Sequence, residues 1–139
     1  MKPPRAIPLL TWFAALVCAG MFMSILLAIL DQGPHIMGGE KVSRSEWLHI
    51  AAPLVAAIGC LMASIAYGLG ASKPWSRHLV MATFALIIMY ASALGALNLL
   101  RHAIMWRAIV HSSLFGCAAT WYFYFKRNVA AYFRQLARR

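Results

Sequence analysis

The feature that most restricts this chain is spacing: its apolar residues come in four blocks, each about as long as a bilayer crossing. Blocks at 7–30, 47–70, 79–100 and 104–125 are rich in Leu, Ile, Ala, Met and aromatic residues, and none contains Asp or Glu. A helix rises about 1.5 Å per residue, so roughly 20 apolar residues cover a hydrocarbon core of about 30 Å. Inside that core every backbone N–H and C=O needs a partner within the protein, and a helix provides it. The expectation is an all-α, polytopic integral membrane protein with four transmembrane helices in a bundle. It forms one domain over residues 1–139, with a tail at 126–139. With 63% hydrophobic and 12% charged residues in 139, no stretch is left for a soluble domain of about 50 residues.

Basic residues set the orientation. The N-terminal segment, the second loop and the tail hold nine: Lys2, Arg5, Lys73, Arg77, Lys126, Arg127, Arg134, Arg138 and Arg139. The first and third loops hold four: Lys41, Arg44, Arg101 and Arg107. Short loops rich in Lys and Arg stay cytoplasmic, so both termini are expected inside, as in a multi-pass protein of a bacterial inner membrane. Asp31, Glu40 and Glu46, the only acidic side chains, then lie together in an outward-facing loop. The net charge of +10 is concentrated at span ends, which argues for membrane orientation and against nucleic-acid binding. The first block is longer than the roughly 7–15 apolar residues of a signal core and is read as a retained span.

Local signals place the boundaries. Gly33-Pro34 and Gly70 with Pro74 read as helix stops, and Ser43 to Glu46 has the spacing of a capping box. Pro53 predicts a kink, because it leaves a carbonyl one turn earlier without its usual donor. Between the third and fourth blocks no Gly or Pro appears, and the expected turn is at Arg101-His102.

Lipid tails do not drive helices together, so close approach depends on small residues. Candidate stripes are Ala52, Ala56, Cys60, Ser64 and Gly68 in the second span, and Gly20, Ser24 and Ala28 in the first. The third has Ala91 and Gly95, and the fourth Ser112, Gly116 and Thr120. The second span is thus expected at the bundle's centre, with Leu54 and Leu69 facing lipid. Cys18, Cys60 and Cys117 form no CxxC pair and are read as small packing residues. Trp47 and Trp106 are assigned to an outer aromatic belt, and Trp75, Trp121, Tyr122 and Tyr124 to an inner one. In the tail Val129, Tyr132, Phe133 and Leu136 share one helical face. This predicts a short basic amphipathic helix lying on anionic lipid, with Lys126, Arg127, Arg134 and Arg138 at the surface.

Polar residues gather toward the outer side: His49, Asn98, Arg101, His102, Arg107 and His111, drawn from three helices at one depth. They can serve as interhelical hydrogen bonds with snorkelling arginines. Two facing histidines can also ligate haem b, with arginines on its propionates. A metal held by His with Met or carboxylates is a third reading, and a quinone or anionic lipid headgroup on His and Arg a fourth. No nucleophile-and-base arrangement is readable, and no span carries the carboxylate on which cation-coupled transport commonly depends. The functional expectation is a non-catalytic accessory or assembly subunit of a larger membrane complex, or a small homo-oligomer, without a cofactor. The alternative is a haem-, metal- or quinone-binding bundle associated with electron transfer and built on the outer His/Arg layer.

Overall fold

Where a helix of this chain ends, the backbone shows why. The computed structural model describes residues 4–137. It contains helices α1 (Ala6–Ile29), α2 (Arg44–Gly70), α3 (Ser76–Ala96), α4 (His102–Thr120, continued by a wide turn at Trp121–Phe125) and α5 (Arg127–Leu136). After α1, α2 and α3 one residue adopts the left-handed conformation: Asp31 at φ 56°, Ser72 at φ 53° and Asn98 at φ 54°. At each end the next amide reaches back five residues, from Gln32 to Leu27, Lys73 to Gly68 and Leu99 to Leu94, at 2.7–2.9 Å. These are Schellman closures, which satisfy carbonyls that a helix end leaves orphaned. None uses glycine. The expected stops at Gly33 and Gly70 therefore lie beside the residues that turn the chain, and Asn98 makes the turn that the sequence placed at Arg101-His102.

Helices α1, α2 and α3 are long and apolar enough to cross a membrane, with mean hydropathies of 2.3, 2.0 and 2.1. No more than 17% of the residues in any of their apolar windows are buried by the protein itself. A soluble monomer does not expose such a surface, so the chain is a membrane protein. Helix α4 lies along α3 and is more polar, carrying Arg107 and His111.

The helices pack in chain order, α1 on α2, α2 on α3 and α3 on α4. Residues seven apart line the first interface: Ile7, Ala14 and Ala28 are buried on α1, and at the remaining step a Cβ on Gly59 of α2 would meet Phe22 at 3.1 Å and Met21 at 3.5 Å. Ile58 and Ile65 continue the spacing on α2, as Ser76 and Thr83 do on α3. A seven-residue stripe stays on one side of a gently supercoiled pair, whereas a four-residue stripe drifts around it. That is why the predicted stripes succeed only in part. Cys60, Ser64 and Gly20 are exposed, and the close approach to α1 is at Gly59 instead. On α3 and α4 the assignments stand: Ala91, Gly95 and Ser112 are buried, and Gly116 backs onto Phe84. A Cβ on Gly95 would overlap Met105, and one on Gly68 would come within 2.8 Å of Ser76.

Other expectations need correction. Leu69 is buried in the core and Leu54 lines a cavity, so neither is a simple lipid-facing residue. Cys60 and Cys117 face outward, and Trp47 is buried rather than in the belt. Pro53 produces a widened turn at Trp47–Ala51, in which the Ala52 amide bonds the carbonyl five residues back. Tyr90 of α3 donates its hydroxyl to the Ile50 carbonyl at 2.8 Å beside this break in the ladder.

The tail helix differs most. Val129, Tyr132 and Phe133 of α5 are 0%, 4% and 1% exposed and share a core with Ile7, Ile65, Leu69 and Phe123. The apolar face assigned to lipid is therefore consumed by the bundle. Arg77 lies over the rings of Tyr124 and Phe133, and Tyr132 donates to Ser72 at 3.0 Å. Lys126, Arg127 and Arg134 remain exposed on the other side, while Arg138 lies outside the described residues.

Candidate functional site

Opposite the tail, the first loop folds into a lid. Strands Ile36–Met37 and Glu40–Lys41 pair antiparallel around Gly38-Gly39, both at positive φ (58° and 86°). This two-residue turn matches the twist of a hairpin, and its conformation favours glycine. A Cβ on Gly38 would also strike Ile104 at 2.6 Å, so the hairpin sits directly on α4.

Polar contacts hold the lid. Arg107 donates to the Gly38 carbonyl at 2.8 Å, and Trp47 donates its indole N–H to Ile36 at 3.2 Å. Arg101 pairs with Glu40 at 2.7 Å. That hydrogen bond, then the charge of Glu40 and the more distant Glu46, raise the Arg101 pKa above its ordinary value. Arg44 donates to the last carbonyls of α1, at Ala28 and Ile29, and lies 3.9 Å from Asp31. A cation at a helix C-terminus complements its partial negative charge. Ser43 accepts from the Glu46 amide at 3.1 Å, which realises half of the expected capping box.

Beneath the lid lies a cavity of about 570 Å³. Ile50 and Leu54 of α2, Ile87 and Leu94 of α3, and Ile104 and Ala108 of α4 supply its apolar walls. Its lining joins α2 and α4, which make no extended contact with each other, α3 being the neighbour of both. Arg107 and His111, one turn apart on α4, are the basic residues on its lining. The other polar lining groups are already engaged, the Tyr90 hydroxyl with Ile50 and the Trp47 indole with Ile36.

Of the six residues expected to form an outer layer, the structure brings only Arg107 and His111 to the cavity. Arg101 holds the lid from outside it. His49 is exposed, with Nδ1 2.7 Å from the Ser45 carbonyl of its own helix. His102 is exposed at the first turn of α4. Asn98 turns the chain, a structural duty that its tolerance of positive φ explains. Among the described residues no three His, Cys, Asp or Glu side chains converge as metal ligands. Tyr90 and Trp47 were not anticipated at the site. Pro53 was the available clue, since a carbonyl beside a broken ladder invites a donor from the next helix. His35, in the lid, meets Trp47 edge-on at 6.5 Å, and its buried Nε2 has no partner among the described residues. Comparison with protein-family models, with curated proteins and with solved structures finds no match to this chain.

Proposed function

We propose that the chain is a four-span integral membrane protein, with both termini cytoplasmic, that works without catalysis as an accessory or assembly subunit of a larger complex or of a small homo-oligomer. The observation that carries this reading is the outward surface of the two flanking helices. Each has one helical neighbour among the long helices, and large apolar residues stand off both. On α1 these include Leu9, Trp12, Phe13 and Leu16, 61–73% exposed, and on α4 Leu114, Phe115 and Trp121, 61–64% exposed. Faces of this kind suit lipid and neighbouring helices alike, and bulky aromatics give a partner helix much area to bury.

The count of four is supported by return of the chain. Ile7 near the start of α1 and Phe133 of α5 belong to one core, so these two segments lie at the same end of the bundle. An even number of crossings does this. From 102 to 125 the fourth helix has about 24 residues, long enough for about 36 Å. The exposed Lys126, Arg127 and Arg134 would then face anionic headgroups on the cytoplasmic side, contributing through charge alone. The electron-transfer alternative draws on the cavity with Arg107 and His111, and among its cofactors a quinone suits those walls better than haem or a metal ion.

A reporter active only outside the cytoplasm tests the topology. Fused after Arg139 it should be silent, and inserted between Gly38 and Gly39 it should be active. The reverse pattern overturns the orientation. Native mass spectrometry after gentle extraction tests the assembly: a lone protomer under all mild conditions overturns the subunit reading, and a Soret band that survives purification overturns the assignment without haem.

A further inference from the structure

We propose that the cavity under the hairpin is a binding site for an anionic phospholipid, with an acyl chain along its apolar walls and the phosphate held at the rim by Arg107. This rests on the membrane reading above, with the hairpin at a headgroup surface. The volume of about 570 Å³ lies within the range of small-molecule sites, and the composition, apolar walls with a few convergent polar groups, is that of such sites.

Charge decides between occupants. The described residues contain two ion pairs, Asp31 with Arg44 and Glu40 with Arg101, and neither uses Arg107. Its guanidinium is anchored by one hydrogen bond to Gly38, which fixes its place and leaves other donors of the fork available. A guanidinium matches phosphate oxygens in pairs, and a charge-assisted bond of this kind is stronger than one to a neutral carbonyl. A quinone offers only neutral acceptors, and a metal ion would be repelled. His111, at the i+4 position on the same helix face, lines the cavity one turn further in.

Depth agrees with charge. Trp106, adjacent to Arg107, is 57% exposed, and exposed tryptophans favour the headgroup zone. From that level the lining reaches inward to Leu54 on α2, Ile87 on α3 and His111 on α4, while Ile104 lies against the hairpin. One chain of a two-chain lipid can enter between α2 and α4 while the other stays in the bilayer.

The test is native mass spectrometry of the full-length protein, delipidated in mild detergent and titrated with phosphatidylglycerol, phosphatidylcholine, oleate or a short-chain quinone. Wild type should prefer phosphatidylglycerol. Arg107→Gln should weaken that lipid by about tenfold to a hundredfold, the value of a charged hydrogen bond, and weaken phosphatidylcholine less, because its choline already offsets the phosphate charge. Arg107→Lys should keep most of the preference. Ala108→Trp, which fills the cavity, should reduce binding of phosphatidylglycerol with Arg107 intact. Arg101→Gln cuts another of the lid's ties, outside the cavity, and should have no effect. Equal loss in Arg101→Gln and Arg107→Gln would overturn the proposal, since lid stability would then explain both. So would oleate, phosphatidylcholine or quinone binding as tightly as phosphatidylglycerol, or phosphatidylglycerol binding indifferent to Ala108→Trp. Binding in detergent is independent of membrane orientation and of partner subunits, so failure here and failure of the topology test are separate results.

Discussion

The two ends of the bundle are closed by different physics. At the tail end, α5 lays Val129, Tyr132 and Phe133 into a core with Ile7, Leu69 and Phe123, and Ser76 beside Gly68 is 0% exposed. Interlocking apolar groups close that end. At the other end a hairpin of mostly exposed residues is tied down by Arg101, Arg107 and Trp47, each through one hydrogen bond. It roofs a cavity instead of filling it. Dense packing resists local opening, whereas polar ties at a surface are individually weak and sensitive to salt. The tail end should therefore account for much of the stability, and the lid end should be where the molecule is easiest to open and to load.

The largest effects are expected at the tail end. Phe133→Ala removes a ring that is 1% exposed, and such truncations cost about 3–5 kcal/mol in a well-packed core. Because α5 is short and docks through this one face, it should undock before the bundle melts. Trypsin should then cut after Arg127 and Arg134 at concentrations that leave wild type intact; equal resistance in both would show that α5 is held by something other than this face. Leu69→Ala, also in this core, should lower the melting temperature by an amount corresponding to about 2–5 kcal/mol. Leu54→Ala at the cavity wall should cost less, since the space beside it is already open. A melting comparison in one detergent decides, and a larger loss for Leu54→Ala would reverse the contrast between the ends.

A middle-sized effect belongs to the close helix contacts. Gly68→Leu drives a side chain into Ser76 and Trp75, with about 1–3 kcal/mol expected from overpacking. Gly20→Leu meets nothing within 4 Å and should be nearly silent in the same melting experiment. Equal losses would mean that the α2–α3 contact at Gly68 relaxes easily and that the stability of the tail end does not depend on it.

These contrasts show what the sequence could disclose. Block length and charge were enough for the helices and their rough limits, because bilayer thickness and backbone satisfaction leave few alternatives. Amphipathicity in α5 was also legible, but not what its apolar face meets. Val129, Tyr132 and Phe133 look the same to a lipid surface as to a bundle end that leaves Ile7 and Leu69 uncovered. The outer layer failed for a related reason. Six polar residues at one depth imply a ring only if their helices surround a common axis, and these helices pack in a row. His49 and His102 consequently face outward, and Asn98 is taken by the backbone. Arg107 and His111 share a helix face in the structure, whereas Asn98 and His102, at the same spacing in the sequence, are separated by the turn at Asn98.

The smallest effect tests the lid directly. Arg101→Gln deletes the ion pair with Glu40, whose two side chains are 55% and 29% exposed. Exposed pairs contribute little to global stability because water and salt screen them and ordering two long side chains costs entropy. The melting temperature should hardly move. What should change is local: with one tie gone, hydrogen exchange at the amides of 36–42 should quicken, while α5 and the core around Phe133 keep their protection. Raising salt in wild type should reproduce part of this change, because the same pair is then screened. In Arg101→Gln salt should have a smaller effect, since the Arg107 and Trp47 ties go to neutral carbonyls. If exchange quickens equally in the hairpin and around Phe133, the two ends are not separable units, and an opening at the lid must propagate through the bundle.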